Sequence, residues 1–143
     1  MRRGSDSHYP LMMINKLKLL KIFLNLGALY YLIGAVVHYF GLTLFPFYDG
    51  KLYTPYHDSI IALVALLISL FLIIVSKNPV KNIDMLKLII FGVILASIVS
   101  IAIIWKVDFA AIGAPAKKIQ TITEGIIGFI FAGLLIWLYP RES

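Results

Sequence analysis

All of the formal charge in this chain lies outside four long apolar stretches. Those stretches are residues 22–48, 59–76, 88–105 and 125–140, the last extending upstream to Ile119 once Glu124 is admitted. As helices, each covers the hydrocarbon of a bilayer, about 30 Å thick, which takes roughly 20 residues. The pattern predicts an all-α fold: an integral membrane, antiparallel four-helix bundle forming a single domain over the whole chain. The expected spans are 20–41, 58–76, 85–105 and 120–139, give or take about two residues at each end. Short connections favour up-down-up-down order, and no internal repeat is visible.

Small residues recur at helical spacing within each stretch. Read as a helix, the first run stacks Gly27, Tyr31, Gly34, His38 and Gly41 on one face. The second places Asp58, Ala62, Ala65 and Ser69 together. The third aligns Gly92, Ala96 and Ser100, and the fourth Gly128 and Ala132 with Glu124 one turn earlier. Such stripes let membrane helices approach closely, which is how they gain packing where burial from water no longer drives association.

The connections carry their own signals. Residues 1–15 read as a disordered or interfacial tail; Met12 and Met13 offer alternative starts, so residues 1–11 need not be native. Residues 15–21 (Asn-Lys-Leu-Lys-Leu-Leu-Lys) are basic and amphipathic and suit a headgroup surface. A cleaved signal peptide does not fit, because the apolar run is too long and no small-x-small site follows it. The first connection is rich in aromatics (Phe45, Phe47, Tyr48, Tyr53, Tyr56), with Asp49-Gly50 at its centre. Asp-Gly between such flanks predicts a type I′ hairpin or short turn, its aromatics at headgroup level or forming a lid. Pro55 sets off the second span, which Asp58 or Ser59 can cap. Pro79 breaks the turn before the third span, which Asn82 or Asp84 can cap. Gly113 and Pro115 are expected to end any helix continuing from the third span.

Composition sharpens this. The 143 residues are 61% hydrophobic with mean hydropathy +0.94, too little polar surface for a soluble domain of this size. Cysteine is absent, which excludes disulfides, thiolate metal sites and iron–sulfur clusters. The net charge of +6 flanks apolar runs, so anionic lipid headgroups rather than nucleic acid are the expected partner. Nine Lys and Arg fall on the side of the termini and second connection, and four on the other. The positive-inside rule then puts both termini in the cytoplasm of a cell with this protein in its inner membrane.

With the spans so directed, His38, Asp58 and Glu124 share a level in the outer half, each on its helix's small-residue face. His57, Tyr31, Gln120, Thr121, Lys106 and Asp108 can join from the rim. Ionisable groups at membrane depth are functional candidates. This set suits a divalent metal, proton transfer through His38, or the polar head of a quinone or lipid. Bland alternatives stand beside it. Thr121-x-x-Glu124 matches a capping box, Asp58 a plain N-cap, and His38 an interfacial or core histidine. Lys106 and Asp108 suit solvated loop charges, and the glycine stripe suits packing alone. No H-E-x-x-H, G-x-S-x-G or P-loop occurs, so no catalytic residue is identified.

The opening span Leu26-Gly27-Ala28-Leu29-Tyr30-Tyr31-Leu32-Ile33-Gly34, the aromatic outer loop and an acidic residue opening the second span at Asp58 resemble the small DoxX-like and BphX-like membrane proteins. The resemblance implies a bacterial or archaeal inner-membrane bundle, sometimes associated with redox complexes, and transfers no site residue. Two functions follow as expectations. The first is a non-catalytic accessory or interaction subunit of a membrane complex, with other subunits or further copies of itself as partners. The alternative is a binder of a quinone, lipid head or metal, with a polar pocket near the outer face.

Overall fold

A computed structural model describes residues 8–45 and 48–140 of the chain. It is all-helical: α1 spans His8–Phe40, α2 Pro55–Lys77, α3 Ile83–Lys106 and α4 Pro115–Trp137. All four helices are long and apolar enough to cross a membrane. Among the described residues no strand forms; a lone bridge joins Leu44 and Tyr48.

Several boundaries move from those expected, for local reasons. α1 already runs from His8, through part of the tail expected to be disordered or interfacial; residues 1–7 lie outside the described chain. It stops at Gly41, which is not a packing position of the stripe but the terminator. Its φ is +63°, the Gly41 N–H meets the His38 carbonyl, and the Leu42 N–H meets that of Val37. That is a Schellman ending, and glycine fits it because it alone takes left-handed φ without strain. The hairpin expected at Asp49-Gly50 is absent, since Gly50 does not take the positive φ that a type I′ turn needs. Asp49 instead caps a short 3₁₀ turn, Gly50–Leu52, by accepting from the Lys51 N–H. Pro55 and Pro115 do not merely end preceding structure: they open α2 and α4, where a missing N–H costs nothing. α4 therefore starts well before Thr121, which bonds back to the Lys117 carbonyl. The capping-box reading of Glu124 fails, because Glu124 lies in the helix interior.

Two helix pairs make up the molecule. α1 lies along α2, and α3 along α4, while α2 and α3 meet only slightly. Along the first pair the contacts run in reverse order: His38 with Asp58, Ala28 with Ser69, Asn25 with Ser76. The small face of α2 is buried as expected, with Asp58, Ala62, Ala65 and Ser69 all 8% exposed or less. In the second pair the stripe on α3 was misplaced by one position. Gly92 and Ala96 are exposed; Val93, Ser97 and Ile101 face Gly125 and Gly128 of α4 instead. Ser97 bonds its own helix at Val93, so its hydroxyl is satisfied inside the contact.

The pairs join at one end. Leu20 and Leu24 of α1, Leu72 and Val75 of α2, Leu86 and Ile90 of α3, and Leu135 and Leu138 at the end of α4 form one buried cluster. Further along, Phe131 of α4 presses on Gly27, where an added Cβ would lie 2.8 Å from its ring. Beyond that point the pairs separate.

Candidate functional site

The separation leaves a cleft of about 640 Å³ between the pairs, with walls from all four helices. A volume of this size suits a small ligand. Most of its lining is apolar or aromatic, including Phe23, Ile61, Ile127 and Phe131. Gly34 borders it with nothing within 4 Å of where a side chain would begin. The stripe on α1 thus divides: Gly27 packs, and Gly34 faces open space.

Polar groups gather at the far end from the leucine cluster. Asp58, 4% exposed, is their hub. Its Oδ2 accepts the Thr54 N–H at 2.6 Å, tying the carboxylate to the start of its own helix. Its Oδ1 lies 2.7 Å from His38 Nδ1 and accepts the Tyr48 hydroxyl at 2.9 Å. Two protein donors, the Thr54 N–H and the Tyr48 hydroxyl, already favour the ionised carboxylate, which can only accept, so His38 Nδ1 carries the proton. Asp58 is therefore not the N-cap the sequence suggested: Thr54 holds that position, and Asp58, inside the first turn of α2, bonds back to the Thr54 N–H and partners His38.

Tyr48 closes this end. Its ring lies 4.3 Å from that of His38, and Lys117 from α4 sits 5.4 Å from the Tyr48 centroid, a cation–π contact bridging the two pairs. Burial, reinforced by the hydrogen bond to Asp58, pushes the Tyr48 phenol well above its ordinary pKa. The sequence placed Tyr48 among interfacial anchors, because loop residues carry no periodicity. Only the reversal between Leu44 and Tyr48 returns it to the histidine.

Glu124 lines the cleft opposite, with Tyr31 and His38. Lys117, His38, Tyr30 and Tyr31 all lie within electrostatic reach of it. Among the described residues its carboxylate takes no hydrogen bond. His38, Asp58, Tyr31 and Glu124 thus come to one region. His57 does not: it is exposed, edge-on to Tyr56. Gln120 and Thr121 are buried in the first turns of α4 but do not line the cleft, and the Gln120 Oε1 has no hydrogen-bond partner among the described residues. Lys106 and Asp108 are exposed, Asp108 accepting backbone N–H groups of its own turn. A metal site at His38, Asp58 and Glu124 is not formed: no three potential ligands gather among the described residues. Both Asp58 oxygens are in any case engaged by protein partners.

Compared with known protein families, with curated proteins and with solved structures, the chain finds no match.

Proposed function

We propose that this protein is a multi-pass membrane protein that binds a lipophilic small molecule between its two helix pairs. Its helices form an antiparallel bundle, with both termini cytoplasmic, the His38 end near the outer face, and a layout resembling the DoxX-like and BphX-like proteins. The observation that carries this reading is the polarity of the cleft. It is apolar along its length and ends in an imidazole, a carboxylate and tyrosines. That is the profile of a molecule with a greasy body and a polar head, such as a quinone or a lipid. An uncompensated polar end facing hydrocarbon is costly, so an occupant that pairs with it is favoured.

The test is extraction in mild detergent followed by native mass spectrometry of wild type and a Gly34→Phe variant. A lipophilic molecule should leave with the wild type and be lost from the variant, with helicity unchanged. Equal retention in both, or none in either, would remove the reading. A stoichiometric protein partner in place of a small molecule would favour an accessory subunit instead.

A further inference from the structure

The donor and acceptor pattern of the cleft's polar end narrows the head group, provided that the cleft is a ligand site as argued above. Asp58 fixes the His38 proton on Nδ1. In the neutral ring Nε2 then keeps its lone pair and is an acceptor. Nε2 has no hydrogen-bond partner among the described residues, although His38 lines the cleft. Glu124, from the opposite helix pair, is a second acceptor without a bonded donor. Tyr48 gives its hydroxyl proton to Asp58 and so is not free to serve a ligand. Two acceptors therefore line one cleft from different helices, near the aromatic rings of Tyr31 and Tyr48.

We infer that the head held here is a planar aromatic diol, one hydroxyl donating to His38 Nε2 and the other to the Glu124 carboxylate, with an apolar tail running toward Phe131 and Gly27. Hydroquinones carrying an alkyl or isoprenoid tail have this form. The corresponding quinone, with carbonyls in place of hydroxyls, has only acceptors to offer. It would leave both protein groups unpaired, and a site built to accept hydrogen bonds rejects an analogue that cannot donate them.

The experiment uses the full chain in lipid nanodiscs under anaerobic conditions. Calorimetry compares a decyl-substituted 1,4-hydroquinone, its quinone, and decylammonium. The hydroquinone should bind at least about tenfold more tightly than the quinone, about 1.4 kcal/mol. Glu124→Gln, which alters no hydrogen bond of the folded chain, should bring that ratio close to one. Quinone binding equal to or tighter than hydroquinone, a preference that survives Glu124→Gln, or ammonium binding tightest would each overturn the diol while leaving a ligand-binding cleft. If none of the three binds, the cleft reading itself fails.

Discussion

The two ends of the molecule are built on different chemistry. At one end four helices meet through leucines and a valine that are 0–2% exposed, with no polar side chain in the cluster. At the other the helix pairs stand apart, and order comes from one carboxylate shared by an imidazole, a phenol and a backbone N–H. The dry end can be close-packed because its groups need no direction. The polar end must satisfy donors and acceptors at fixed angles, and this leaves space. The comparison teaches that apolar packing joins the two pairs at one end, whereas hydrogen bonding orders only the first pair's side of the pocket at the other.

Breaking the dry end should have the largest effect. Leu72→Ala removes a side chain 1% exposed that touches the cluster and lies near Gly27. A loss of about 2–4 kcal/mol is expected, measured by reversible unfolding in mixed micelles. At the polar end, Asp58→Ala strands three donors at once and should cost about 1–3 kcal/mol. It should also free the His38 tautomer, visible in the nitrogen shifts of the imidazole. Gly41→Ala tests the junction between helix and loop. The positive φ and the Tyr53 ring 2.7 Å from a new Cβ predict about 1–2 kcal/mol of destabilisation and fraying of the last turn of α1, read by hydrogen exchange.

The smallest effect is a pH dependence. The folded Tyr48 phenol ionises at higher pH than the unfolded one, whose pKa is about 10. Its contribution is therefore complete below pH 10 and disappears as pH climbs toward the folded value. Unfolding of wild type and Tyr48→Phe, compared between pH 8 and 11, should show the gap between them narrowing at the alkaline end. A gap that widens would reverse the assignment of Tyr48 as donor.

Much of this contrast was legible in the sequence. Uninterrupted apolar length identifies each of the four helices, since few other structures accommodate such runs. The pairing of His38 with Asp58 was visible because both lie on small-residue faces near the same connection. What the sequence hid has physical causes. Placing the start of α4 at residue 120 rather than Pro115 turns Glu124 from an interior group into a cap, and proline at the first helical position reads equally well as a break. The α3 stripe was misjudged because an all-apolar helix has no polar face to orient it, so several registers look alike. Tyr48 was missed because its role depends on the path of a loop.

The tight Lys77–Ile83 corner and the leucine cluster beside it put the fulcrum of the molecule at one extremity. From there α3 runs about 25 Å to the level of Ser100, at 1.5 Å per residue, so a tilt of about 5° would displace that level by about 2 Å. At the distal rim the Lys117–Tyr48 stacking links the second pair to the first. Leverage of this kind means that substitutions deep in the leucines would alter the aperture that a guest meets, without touching any residue it contacts.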